Sequence, residues 1–276
     1  MSIIFRSLFG GVMLAALFPL STTLAGEPLV FSTAPTQTPT ETVKMYQPLV
    51  DHLARQTGKS IVLKPAKNFL EYTHGIQHGR YDIVFDGPHF VGWRMEKIGH
   101  QVVAKLPGNI SFVVVARDDA GIVGYKTLAG RKVCTFASPN LLSLGFLDLF
   151  GSPASQPILV RVGSFKGALE CVQNGNGVAA VMRDKFWEKR KPEQIKGLSL
   201  IYTTDRPFPH RAFSVGPRVN DGTRKKIAEA LIGVNGVPAG MPILKKFRSK
   251  QFLPATTEEY KGMGALLNPV WGFRDL

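Results

Sequence analysis

Cysteine is scarce in this chain: two residues in 276, Cys134 and Cys171. They stand 37 positions apart, so no Cys-x-x-Cys redox pair exists. Acids are also few, 20 against 34 Lys and Arg, for a formal charge of +14. The bases are scattered and form no arm or stripe, which argues against nucleic acid as a partner. They suit solubility, an anionic membrane surface or an anionic ligand. After the first 25 residues no apolar run reaches the roughly 20 residues that a membrane-spanning helix needs. The sequence has no Gly-x-Ser-x-Gly elbow, no His-Glu-x-x-His, and no Cys with an obvious His partner, which removes the commonest hydrolase signatures. Low-complexity tracts and short-period repeats are missing too.

The opening segment carries Arg6, an apolar stretch over Leu8–Leu20, and Thr23-Leu24-Ala25 before Gly26. This pattern predicts a secretory signal peptide, residues 1–25, cleaved near Ala25. The apolar stretch is too short for a span and contains Pro19. No Cys lies at the junction to take a lipid anchor. Export to an oxidising compartment with an even cysteine count predicts a Cys134–Cys171 disulfide, and two buried free thiols are the alternative.

The roughly 250 residues that follow can fill one large domain or two lobes. Short apolar runs alternate with helical periodicity. "PLVFSTAP" reads as a strand, and "TETVKMYQPLVDHLARQTG" as a helix with Val43, Tyr46, Leu49, Val50 and Leu53 on one face. Pro48 implies a kink there, or a helix that starts near Gln47. "SIVLKPA", "YDIVF", "GRKVCTF", "QPILVRV", "GVAAVM", "LSLIYTT" and "RAFSVGP" read as further strands separated by helices. Three helices close the chain. This order predicts an α/β fold with largely parallel sheets in two units.

"YDIVFDGPHF" stops a strand at Asp86 and breaks it with Gly87 and Pro88 as a helix begins. Turn chemistry explains that, and so does a ligand site at the carboxyl end of a strand. The collinear stretches "YQPLVDHLARQTGKSIVL", "GRYDIVFDGPHFVGW", "YKTLAGRKVCTF", "GALECVQNGNGVAAVM" and "PHRAFSVGP" resemble the phosphate/phosphite/phosphonate-type substrate-binding proteins of ABC transporters. These form a branch of the type II periplasmic binding proteins. The resemblance implies a non-catalytic, hinge-closing fold of two lobes with mixed sheets flanked by helices and two crossings, near Ala116 and Phe213. Residues 26–116 and 214–276 would form lobe 1, and 117–213 lobe 2.

It also implies the site. Thr33, Thr36 and Gln37 follow the first strand, Tyr46 lies on the first helix, and Asp86, Gly87 and Phe90 form the turn after "YDIVF". Ser138 and Asn140 would offer a helix N-terminus to an anion from the second lobe. Arg183 and His210 lie at a strand end and on the return crossing. Both have plain alternatives, a surface ion pair with Asp184 and a hinge role.

Two departures alter the expected ligand. "SPN" replaces the family's Ser/Thr-Ser-Gly nest, and Phe165 stands where relatives commonly place a His. The expected ligand is therefore an anionic or zwitterionic organic molecule, with Asp86 receiving any cationic part. His74 and His78, one helical turn apart with Glu71 nearby, could hold a metal, but the helical wheel puts them on the solvent side, so neither metal nor cofactor is expected. A monomer delivering its ligand to an ABC permease is the leading reading. A sensor partner of a histidine kinase or chemoreceptor is the alternative, and an exported enzyme trails both.

Overall fold

The computed structural model describes residues 27–234 and 237–273. The expected leader and its cleavage site lie outside them. β1 (Leu29–Thr33), α1 (Pro39–Thr57), β2 (Ile61–Leu63), α2 (Phe69–Gln77), β3 (Ile83–Asp86), α3 (Pro88–Ile98) and β4 (Gln101–Lys105) come first. The chain crosses to the second half through the short strand β5 (Asn109–Ile110) and enters the second sheet as β6 (Phe112–Arg117). There follow β7 (Lys132–Thr135), α4 (Leu141–Asp148), β8 (Ile158–Arg161), α5 (Phe165–Gln173), β9 (Ala179–Arg183), α6 (Asp184–Trp187) and β10 (Leu198–Thr203). The chain returns through β11 (Phe208–Pro209) and β12 (Ala212–Val215). It closes with α7 (Asp221–Ile232), α8 (Met241–Lys246), β13 (Leu253–Pro254), α9 (Thr257–Tyr260) and a 3-10 turn over Met263–Leu267.

The strands form a six-stranded sheet in the order β13-β4-β12-β3-β1-β2 and a five-stranded sheet in the order β10-β6-β9-β7-β8. Both are mixed. β2-β1-β3 and β8-β7-β9 run parallel, whereas the crossing and returning strands β12, β4, β6 and β10 pair antiparallel. The largely parallel sheets expected from the βαβ order are thus only half of each sheet. A strand that re-enters a sheet from the other half arrives without a crossover helix, and so runs against its neighbour. β6 lies wholly in the second sheet, so the outward crossing falls at β5 and not at Ala116. β5 pairs with β11 as a two-stranded ribbon between the halves.

α1 begins earlier than Pro48 suggests. Thr38 and Glu41 form a capping box, and Pro39 occupies the first helical position, where a missing N–H costs nothing. Tyr46, Leu49, Val50 and Leu53 then bury one face and carry the helix through Pro48, while Val43, expected on that face, is 41% exposed and Thr42 is buried in its stead. α3 packs against the chain's end through two glycines. A Cβ on Gly92 would lie 2.7 Å from the Tyr260 carbonyl, and one on Gly264 would lie 2.8 Å from the Trp93 backbone. Phe90, Trp93 and Leu266 from one half and Leu141, Leu142 and Leu144 from the other share a single apolar cluster, so the two halves meet over an apolar seam.

Cys134 on β7 and Cys171 on α5 are bridged, with their Cα atoms 6.1 Å apart. The bridge pins α5 to its sheet beneath Val113, Ala168 and Val172.

Candidate functional site

A cavity of about 1070 Å³ opens between the two sheets at the carboxyl ends of their parallel strands. Thr36, Gly87 and Phe90 line it from the first half, and Asn140, Phe165 and Arg183 from the second, with His210 on the return crossing.

The β3–α3 turn is built as its sequence reads. Gly87 is the N-cap in an extended conformation and Pro88 the first helical residue. Gly87 is also required sterically, because a Cβ there would sit 2.7 Å from the His89 ring. His89 is buried and reaches across the cleft. Its Nε2 lies 3.0 Å from the Pro139 carbonyl, which can only accept, so Nε2 carries the proton and Nδ1 is bare. That Nδ1 is buried and finds no partner within the protein. Asn140 caps α4 by accepting from the Leu142 N–H at 3.0 Å. Its amide nitrogen carries two further donors. Phe165 opens α5 behind the cap Ser164, edge-on to Phe136 and 5.6 Å from Phe186.

Five expected residues stand elsewhere. Gln37 is half-buried outside the lining. Asp86 does not face the cleft. Its carboxylate is fully buried and receives Arg94 Nη1 and Nη2, each at 2.7 Å, together with the Tyr72 hydroxyl. Strand alternation turns it away from the cleft, and Arg94, two turns along α3, comes down to meet it. Burial, followed by the Asp86 charge, raises the Tyr72 phenol well above its usual range, so it remains a donor. Thr33 donates to the Phe85 carbonyl at 2.6 Å inside the core. Tyr46 packs between the rings of Phe31 and Phe85. Ser138 is exposed beside the cleft and lies outside its lining. His74 and His78 are exposed on α2, and the described residues hold no group of three or more potential metal ligands.

Other lining residues escaped the sequence reading. Phe69, at the start of α2, stacks on Phe90 at 6.3 Å and borders the cavity. Arg211 and the segment Lys246–Gln251 line it as well. The run "KKFRSK" was visible as charge, but its placement depends on where the final helices dock.

The site's histidines are held neutral. Burial pushes the His89 imidazole down to about 4. Burial, then Arg183 and Arg211, pushes that of His210 to about 3. An unfolded histidine takes its proton near 6.5, so the unfolded chain binds more protons between these values. Stability should therefore be complete above about pH 6.5 and fall as pH drops toward 4, with His89 contributing about 3 kcal/mol. Urea melts at pH 7, 5.5 and 4.5 test this, with His89→Gln expected to flatten the profile. An equal slope in that variant would refute the assignment.

Residues 31–260 match the family model for the periplasmic substrate-binding protein of phosphonate ABC transporters. The chain belongs to that family. Its fold is the family's two-lobed one, as solved relatives show. PhnD1 from Prochlorococcus marinus, determined in complex with methylphosphonate, superposes with a TM-score of 0.63 at 18% identity, over 88% of this chain and 97% of that one. XAC2383 from Xanthomonas citri, determined bound to ATP, reaches 0.68 at 15% identity, over 90% and 98%. The Phosphate-import protein PhnD of Mycolicibacterium smegmatis is 30% identical over 139 residues, which is 47% of this chain and 43% of that protein. The match therefore spans less than half the length of this curated relative.

Proposed function

We propose that this family member is an exported, monomeric and non-catalytic solute receptor that closes on a phosphorus oxyanion and presents it to an ABC permease. In this reading residues 1–25 are the leader, removed after Ala25. The lobes divide at the β5/β11 ribbon, with residues before β5 and after β11 in lobe 1. The carrying observation is the cavity itself, which takes its lining from both lobes at strand ends and helix N-termini, where backbone N–H groups and helix dipoles favour anions. The methylphosphonate and ATP of the two solved relatives are both phosphorus oxyanions. The bridge from His89 to Pro139 supports closure, since it links the two turns only when the lobes are together. Phe165 and Phe90 supply the apolar wall for an organic body.

Melting the protein with and without methylphosphonate, adenosine triphosphate and inorganic phosphate tests the reading, together with small-angle scattering at saturation. Ligand at 100 times its dissociation constant should add about 2.7 kcal/mol. The bound protein should be more compact, and the ligand should be recovered chemically intact. No shift with any of the three, or turnover of one of them, would overturn the proposal.

A further inference from the structure

The charge of the cleft is one-sided. From lobe 2, Arg183, Lys185, Lys189 and Arg190 face it. From lobe 1 and the return crossing come Arg211, Lys246, Arg248 and Lys250. Among the described residues no Asp or Glu lines the cavity. Asp184 pairs with Arg183 at 3.6 Å, and Glu41 lies close enough to Lys246 to feel its charge, but neither enters the lining. Asp86, the acid expected there, is occupied by Arg94.

Two further observations tie these cations to the cleft. Arg183 is half-buried, and its Nε, 3.6 Å from Asp184 Oδ1, is too far from that carboxylate for a hydrogen bond and makes no other within the protein. Arg248 has φ of 51°, and it is the single described non-glycine residue with positive φ. It follows the cap of α8, where its N–H bonds to the Lys245 carbonyl at 3.1 Å and that of Ser249 to Leu244 at 2.8 Å. A helix that ends this way normally places glycine at this position, so a branched-off cation is held there against the backbone's preference.

We infer that the cleft is built for a multiply charged organic anion, one carrying two or more phosphate groups on an apolar or aromatic body, and not for a single phosphonate or a zwitterion. This rests on the proposed function and narrows its ligand class. Four like charges on each side of the opening repel one another across it, and a ligand with several anionic groups cancels that repulsion as the lobes close. Arg183 leans on Asp184, Arg190 on the Phe186 ring and Arg211 on the Phe247 ring, and a monoanion satisfies one or two of the eight cations while the net positive charge of the lining remains. A zwitterion brings a cation that the lining has no carboxylate to receive. The low-dielectric walls focus the field of these cations into the cleft, so attraction should rise with each added charge and weaken with salt. Phe69, Phe90 and Phe165 provide the surface for the organic body.

Calorimetry on the mature protein with methylphosphonate, pyrophosphate, and adenosine mono-, di- and triphosphate tests the inference at low and at physiological salt. The dissociation constant should fall about tenfold per added phosphate, the value of one charge-assisted hydrogen bond. Lys246→Gln and Lys189→Gln, one from each side, should each weaken the triphosphate several-fold and change methylphosphonate little. Arg248→Gly should raise Tm by about 2 °C while weakening the triphosphate, because it relieves the backbone and removes the charge. Lys59→Gln and Lys225→Gln, outside the cleft, should leave binding unchanged and so separate the site from general surface charge. Methylphosphonate binding as tightly as the triphosphate would overturn the inference and leave the receptor reading standing. An equal loss in the outlying variants would overturn it too. Absence of binding by every anion would defeat both.

Discussion

Replacing Asp86 with Asn should destabilise the protein by about 3–5 kcal/mol, the cost of leaving a buried guanidinium without its counter-charge. Arg94 and Asp86 are both fully buried and joined by two parallel hydrogen bonds. Ser214, arriving from β12, accepts from Arg94 Nε at 3.1 Å and Nη2 at 3.0 Å, and its oxygen lies 3.1 Å from His100 Nδ1. The network ties β3, α3 and β12 together directly beneath the β3–α3 turn that enters the cleft. A paired replacement such as Asp86→Leu with Arg94→Met should recover most of the loss, because removing both charges removes the desolvation cost along with the attraction. Urea unfolding of the three variants measures this. A loss below about 1 kcal/mol for the single variant would mean that water reaches the pair. Where Asp86→Asn remains folded, its affinity for phosphate ligands should match that of the unmodified protein. An acid facing the ligand would have required an improvement instead.

Removing the Cys134–Cys171 bridge should have the next largest effect. Closing a loop of this separation, 37 residues, constrains the unfolded chain by about 4 kcal/mol in the loop-entropy account. At the usual entropy of unfolding for a chain of this size, Tm should drop by roughly 10 °C. Both sulfurs lie in the second lobe's own core among Val115, Ala180 and Met182, away from the cleft lining. The double Cys→Ala variant should therefore keep ligand affinity at temperatures where it is folded. Thermal melts with and without reductant, followed by calorimetry on the variant, check both halves of the expectation. Coincident melts would show that the bridge does not constrain the unfolded chain, and lost affinity would show that α5 depends on it for its cleft-facing end.

Local pattern carried most of the elements. Short continuous apolar runs became β1, β3, β6, β7 and β9, buried on both faces, and helical periodicity with Asn, Ser or Thr caps became α1, α2, α5 and α7. The strand–Gly–Pro–helix reading of "YDIVFDGPHF" held because Gly and Pro act through their own backbone geometry, which needs no distant partner. The disulfide was legible for a similar reason: with two cysteines in an exported chain, only one pairing exists. Sheet polarity was not legible, since whether β12 runs with or against β3 depends on which side the chain returns from. The fate of Asp86 was hidden in the same way. Its partner Arg94 is near in sequence, but Ser214, which completes the pair's hydrogen bonds, lies 120 residues from Arg94. The two basic runs, "RDKFWEKRK" and "KKFRSK", are plain in the sequence as scattered surface charge. Only the return of the chain through β11, and the docking of α8 against α1 in the first lobe, set them opposite each other across one cleft. Composition determined that this protein is basic. Tertiary structure decided that eight of these cations line one cleft, because Coulomb interactions depend on distance in space and the two runs approach only after both lobes have folded.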